Sequence, residues 1–225
     1  MLEVNKIYHG DSLELINDIP DKSVDMILED MPYNITACKW DVKIDLEQYW
    51  KSRKRIIKDN GVIVLTASQP FTSMLVMSNL KMFKYDWVLD KKSVTNFAAV
   101  KYQPLRRHES ILVFYNKNTT YNPMMRKETI LGNFGKKSTT GGNVCGKLGL
   151  NYKTQVGYPV SIIQFRRPNN LDKDGNLHSS QKSVDLFRYL ILTYTNENDL
   201  IVDGFAGSGT TGVAAIKTNR NFICI

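Results

Sequence analysis

The chain has 225 residues, 42% hydrophobic and 23% charged, with a formal charge of +8. That is enough for one substantial core, or a core with an inserted subdomain, and the composition excludes a disordered or fibrous chain. Cys38, Cys145 and Cys224 are too few and too widely spaced for a zinc knuckle or a disulfide framework.

In chain order, the N-terminus MLEVNKIYHGD lacks a basic-then-apolar signal pattern. No apolar run reaches the length of a membrane span, and the three thiols read as reduced, so the expected location is the cytoplasm. SVDMILED (23–30), GVIVLTAS (61–68), YDWVLD (85–90) and SILVFYN (110–116) are apolar, partly β-branched and bounded by turn residues, which predicts strands. Between them, DLEQYWKSRKRIIKDN (45–60) has Leu46, Tyr49, Trp50, Arg53, Ile56 and Ile57 near helical spacing and ends at Asn60-Gly61. QPFTSMLVMSNL (69–80) predicts the next helix. Strands alternating with helices argue for a three-layer α/β domain on a mainly parallel sheet.

The rhythm breaks from 116 to about 176, where GNFGKKSTTGGNVCGKLG (132–149) reads as loop. Within 116–170, nine bases (Lys117, Arg126, Lys127, Lys136, Lys137, Lys147, Lys153, Arg166 and Arg167) face one acid, Glu128. The surplus of eight equals the excess of the whole chain, and Tyr121, Phe134, Tyr152, Tyr158 and Phe165 are interleaved with it. One interpretation is a solvated loop with surface lysines. The other is a DNA-facing insert whose bases meet phosphates and whose aromatics meet exposed nucleobases. A strand at PVSIIQF (159–165) and a helix at SVDLFRYLILTYT (183–195) follow, then a βαβ pattern in DLIVDGFAGSGTTGVAAIKTNRNFICI (199–225).

Two constellations carry chemistry. Asp203-Gly204-Phe205-Ala206-Gly207-Ser208-Gly209-Thr210-Thr211 is a Gly-rich turn between strand and helix, where backbone can pass close to a ligand. No Lys follows its last glycine and it lacks the third glycine of the dinucleotide fingerprint, so it is neither of those loops. Asp30-Met31-Pro32-Tyr33 ends the strand 23–30, at the strand end where open parallel sheets bind ligands. An exocyclic base amine is a poor nucleophile because its lone pair is delocalised into the ring. A carboxylate accepting one N–H and a backbone carbonyl accepting the other would aim that lone pair at a methyl donor. An aromatic ring stacked on the base would hold it outside the duplex. Alone, each motif also admits a structural reading: a tight packing turn, and a strand end with a surface Asp and a packed Tyr.

Together the motifs resemble those of DNA amino-methyltransferases. DMPY is similar to their (Asp/Asn/Ser)-Pro-Pro-(Tyr/Phe/Trp) motif, and DGFAGSGTT to their Asp-Pro-Phe-x-Gly-Ser-Gly-Thr-Thr motif. The order, with the catalytic motif first, then an insert, then the cofactor motif, resembles the permuted β class. HGD (9–11) and HSSQKSVDL (178–186) resemble further family elements, while TACKWD, SQPFTS and RRHESILVF resemble stretches in phage and prophage members.

The resemblance implies a Rossmann-like three-layer methyltransferase fold with one antiparallel strand. The implied parts are a catalytic half (1–115), a target-recognition insert (116–176) and a cofactor-binding half (177–225). The implied donor is S-adenosyl-L-methionine and the implied acceptor N6 of a flipped adenine in double-stranded DNA, as in restriction–modification systems. N4 of cytosine is the lesser alternative, and cytosine C5 chemistry is disfavoured because Cys38 follows Ala37 without a nucleophile's context. Carried over by motif, Asp30 and the Met31 carbonyl beside Pro32 accept the amine and Tyr33 stacks. Asp203, Phe205, Gly207, Gly209, Thr210 and Thr211 line the cofactor, Asp11 lies near its adenine, and Lys182, beside Gln181, closes the pocket. Lys136, Lys137, Lys147, Arg166 and Arg167 are the candidate DNA contacts. No metal is implied, and a second copy of the chain is an open alternative as a further partner.

Four prolines of the family pattern are replaced, by Met31, Gly204, Ser179 and Ser183. Pro32 still restrains Met31, but Asp30 loses that restraint, and Gly204 exchanges the stiffest residue for the loosest. The chain ends at Ile225, before the acid that in the family binds the cofactor's ribose. These departures set a second expectation beside the enzyme: a methyltransferase-like pseudoenzyme that binds DNA without modifying it.

Overall fold

The computed structural model describes residues 1–33, 44–126, 157–166, 168 and 181–225. In chain order the regular elements are β1 (Lys6–Ile7), α1 (Ser12–Leu15), β2 (Val24–Glu29), α2 (Leu46–Ile56), β3 (Ile57–Ala67), α3 (Phe71–Ser78), β4 (Phe83–Thr95) and β5 (Arg106–Phe114). β6 (Ile162–Gln164), α4 (Val184–Tyr194), β7 (Leu200–Asp203), α5 (Thr210–Ile216) and β8 (Asn221–Cys224) complete them.

One eight-stranded sheet runs β1-β8-β7-β2-β3-β5-β4-β6. β5 is antiparallel to both of its neighbours, β3 and β4, and every other pairing is parallel. The mainly parallel α/β sheet with one antiparallel strand is therefore present as expected. It follows that β2, β3, β4 and β7 end, and β5 begins, on the same edge.

Alternation along the strands builds two cores. Val24 and Ile27 of β2 and Ile63 and Leu65 of β3 face one side, where Tyr49, Trp50 and Ile56 of α2 and Phe71 and Leu75 of α3 cover them. Met26, Leu28, Val62 and Val64 face the other, under Leu186, Phe187, Leu190 and Ile191 of α4 and Ala214 and Ala215 of α5. Both faces of the central strands are thus dry, which is why they read as continuous apolar runs.

The helix expected over 45–60 is shorter. Its start is as anticipated, with Asp45 accepting from the N–H groups of Glu47 and Gln48 at 2.9 and 3.2 Å. It stops at Ile56 because Ile57 already pairs with Val24 and β3 begins there. Gly61 permits that approach, since a Cβ there would lie 2.9 Å from the Asp25 carbonyl oxygen. β1 and α1 had no counterpart in the sequence reading, because β1 exists only through its pairing with β8 (Lys6 with Ile223).

Pro123–Val160 forms a unit separate from the remainder of the chain. Within it, the Arg126 N–H donates to the Gly157 carbonyl at 2.6 Å and Arg126 Nε to the Tyr158 carbonyl at 2.7 Å. Among the described residues no helix is long and apolar enough to cross a membrane.

Candidate active site

β2 ends at Glu29, and the chain continues through Asp30 and the buried Met31, whose side chain is 2% exposed and packs into the first core. Leu65 of β3 lies opposite Glu29, so Thr66 comes up beside Asp30. The Thr66 hydroxyl donates to Asp30 Oδ1, and the Tyr33 hydroxyl donates to the same oxygen at 2.8 Å. Lys182, just ahead of α4, brings its ammonium to within 3.0 Å of that oxygen. Three donors therefore converge on Oδ1, and among the described residues none reaches Oδ2. The Tyr33 ring packs tilted against Phe71 at 5.5 Å between centroids. Burial and the charge of Asp30 push its phenol well above the ordinary tyrosine range.

Lys182 also touches Glu109 Oε2 at 3.1 Å, and the other oxygen of Glu109 receives Lys91 at 3.0 Å. Burial alone would weaken the Lys182 charge, but Asp30, Tyr33 and Glu109 outweigh it and hold the ammonium well above the usual lysine range. Burial opposes ionisation of Glu109 too, yet Lys182 and Lys91 keep its carboxyl below the ordinary value. Thr66, Glu109 and Lys91 were not among the sequence candidates. Thr66, a polar residue near the end of the apolar run GVIVLTAS, carried a readable signal, since strand ends of parallel sheets are where ligands bind.

The Gly-rich turn follows β7, the neighbour of β2 in the sheet. Gly207 and Gly209 have φ of +51° and +76°, a left-handed geometry that side chains resist. A Cβ on Gly207 would meet nothing nearer than 3.9 Å, so the backbone there is open to a ligand. Asp203 lies beneath the turn, 2% exposed, accepting from the Phe205 N–H at 2.9 Å and from the Thr211 hydroxyl. Burial, with the nearby charges of Glu29 and Asp30, pushes its carboxyl up to about 7, against the lowering effect of those two bonds. Asp203 and Thr211 thus pin the turn from below, while Phe205 is partly exposed and the Thr210 hydroxyl lies 3.1 Å from Ser208 Oγ.

Under Gly204 sits a buried ion pair. Arg53 and Glu29 are both fully buried and 2.8 Å apart, with Tyr49 OH donating to Glu29 Oε2 at 2.6 Å and Arg53 Nη2 to Ser12 Oγ at 2.8 Å. The Gly204 N–H completes the set by donating to Glu29 Oε1 at 3.0 Å. The position that looked merely loosened is filled from below by charged side chains.

Asp11 caps α1, accepting from the Leu13 and Glu14 N–H groups at 2.7 and 3.4 Å. Arg166 follows β6 and is exposed. Lys136, Lys137, Lys147 and Arg167 lie outside the described residues, as do Cys38, Cys145 and Ser179. Cys224 is a buried free thiol. No group of three or more His, Cys, Asp or Glu residues able to hold a metal occurs among the described residues.

Known proteins align along almost the whole chain. It is 26% identical over 237 residues to the type II methyltransferase M.BglII of Bacillus subtilis, covering 97% of this chain but 64% of that protein. It is 29% identical to the DNA adenine methyltransferase YhdJ of Escherichia coli K12, covering 99% of this chain and 78% of YhdJ. Among solved structures, PvuII DNA methyltransferase (cytosine-N4-specific) superposes with a TM-score of 0.71 at 15% identity, covering 97% and 80% of the two chains. The M1.HpyAVI–SAM complex follows at 0.64 and 23%, covering 98% and 92%, and at these identities the likeness establishes the methyltransferase fold. The family model described as DNA methylase, of the N6/N4 methyltransferase type, matches residues 24–225, and the chain belongs to that family.

Proposed function

We propose that the chain transfers the methyl group of S-adenosylmethionine to N6 of an adenine turned out of duplex DNA, as a permuted, β-class enzyme. The observation that carries this reading is the polarised carboxylate of Asp30. Oδ1 is occupied by Tyr33, Thr66 and Lys182, so among the described residues Oδ2 is the oxygen left as the acceptor for a base. In this reading Oδ2 takes one amine N–H and the Met31 carbonyl the other, turning the nitrogen lone pair out of the ring plane. The amine becomes strongly acidic as its nitrogen is methylated, so the carboxylate oxygen already holding its hydrogen can take the proton it sheds. The Tyr33 ring, steadied by Phe71 and by its hydroxyl bond, offers a stacking face for the extruded base.

The residues fit the cofactor. The open backbone at Gly207 and the positive φ of Gly207 and Gly209 leave room beside β7, one strand from Asp30. Phe205, Gly207, Gly209, Thr210 and Thr211 would hold it, with Asp203 bracing them. When bound, S-adenosylmethionine supplies an electrophilic sulfonium methyl. The M1.HpyAVI structure determined with SAM supports this choice of donor, and the relation to YhdJ supports adenine. Asp11 is assigned to the cofactor adenine in the same way, from its motif. The 116–176 insert, with Lys136, Lys137, Lys147, Arg166 and Arg167, is assigned to the phosphates and target sequence, between the halves 1–115 and 177–225.

Calorimetric titration with S-adenosylmethionine should give saturable binding in wild type and in Asp30→Ala, within about twofold. Asp30→Ala should lose methyl transfer to adenine-containing duplex by about 100-fold or more. Transfer near the wild-type rate in that variant, or labelling of cytosine in place of adenine, would refute the assignment.

A further inference from the structure

We propose that Glu109, braced by Lys91, is a positioning residue for methyl transfer: its carboxylate holds the Lys182 ammonium on Asp30 Oδ1 and so keeps Oδ2 for the base amine. The inference rests on the role of Asp30 given above and extends it to two residues outside the catalytic and cofactor motifs, on β4 and β5.

The geometry is a chain of alternating charges. Lys91 lies 3.0 Å from Glu109 Oε1, Glu109 Oε2 lies 3.1 Å from Lys182, and Lys182 lies 3.0 Å from Asp30 Oδ1. The four side chains range from 5% to 22% exposed, so water screens them poorly. A lysine on a flexible four-carbon stem, facing Asp30 alone, has no reason to choose one oxygen over the other. Shifted toward the middle of the carboxylate it would compete with the incoming amine for Oδ2. A second carboxylate on its far side removes that freedom. Lys91 is needed in turn, because Glu109 between two cations stays ionised although buried. The set is neutral, with two charges of each sign, which lets it exist at the site without an uncompensated buried ion.

Register explains how the chain assembles the group. Glu109 stands opposite Leu89 on the β4–β5 ladder, two positions before Lys91. The ladder slips between Asp90 and Thr95, with Lys92 at φ +57°, immediately beside Lys91. Such irregularities beside active sites commonly re-aim a side chain. The groups that face Lys182 are Asp30 and Tyr33 from the end of β2 and Glu109 from β5.

A purely structural role, a cross-strand tie between β4 and β5, predicts different data. The full chain is prepared as Glu109→Gln and as the double variant Lys91→Met/Glu109→Gln, which leaves no unpaired buried charge. In both, single-turnover transfer to an adenine duplex should fall by about 10- to 100-fold. KM for DNA and affinity for S-adenosylmethionine should stay within about twofold. In parallel, the 13Cε signal of Lys182 should titrate above the ordinary lysine range in wild type and at a lower pH in Glu109→Gln than in wild type. Wild-type transfer in the folded double variant would overturn the proposal. A loss confined to KM or to the unfolding midpoint, or an unmoved Lys182 titration, would do the same. A wild-type chain that transfers nothing would sink the methyl-transfer reading, and the Lys182 titration would still decide whether Glu109 holds that ammonium.

Discussion

Restoring the family's proline at position 204 should unfold this protein rather than improve it. A Cβ at Gly204 would overlap Arg53 Nη2 and come within 2.8 Å of Glu29 Oε1, the two halves of a fully buried ion pair, and would also overlap Ser12 Oγ, which accepts from Arg53. Alanine therefore has to displace Arg53 from Glu29. Overpacking in a rigid core costs about 1–3 kcal/mol, and breaking a buried pair about 3–5 kcal/mol, so Gly204→Ala should cost about 3–5 kcal/mol. Proline also removes the N–H that donates to Glu29 at 3.0 Å, a bond to a charged acceptor worth about 1.5–3 kcal/mol. The sum, about 5–8 kcal/mol, rivals the whole stability of an ordinary domain. Urea unfolding followed by tryptophan fluorescence suits the test, because Trp50 and Trp87 are 4% and 3% exposed and will report loss of the core. Arg53→Met should relieve part of the cost of Gly204→Ala, giving a coupling above about 1 kcal/mol in a double-mutant cycle. A Gly204→Pro protein with the wild-type midpoint would show that the pair does not guard this space.

Asp203 predicts a pH-dependent stability. Its folded value of about 7 lies above an unfolded value near 3.9, so the unfolded chain loses its proton first as pH rises. The contribution is complete below about pH 4 and is lost by about pH 7, at most about 4 kcal/mol for three units. Asp203→Asn should therefore gain on wild type by up to that amount between pH 4 and 8 in urea midpoints, and an offset that does not change with pH would refute the raised value. Thr66→Val removes one donor from Asp30 Oδ1 without changing side-chain shape. It should lower the transfer rate by about 10- to 100-fold, with cofactor affinity unchanged, and an unaltered rate would show that the Thr66 bond does not orient Asp30.

How much of this was legible in the sequence depended on whether a feature is local or set by register. The runs at 23–30, 61–68 and 110–116 are strands because each is apolar on both faces, a property visible in the letters. Asp30, Tyr33, Lys182 and the turn at 203–211 were visible because short motifs hold them. Thr66, Glu109 and Lys91 were not, because their meeting depends on Leu65 lying opposite Glu29 and Leu89 opposite Glu109. The same distinction bears on the missing prolines. Judged by letters, Met31 and Gly204 exchange stiff residues for free ones. In the folded chain Met31 is buried in the first core, Gly204 is tied to Glu29, and the turn beyond it is pinned by Asp203. Packing now supplies the restraint that a pyrrolidine ring would supply. The prolines lost at positions 31 and 204 are therefore weak grounds for a pseudoenzyme, since the rigidity they would confer there is present by other means.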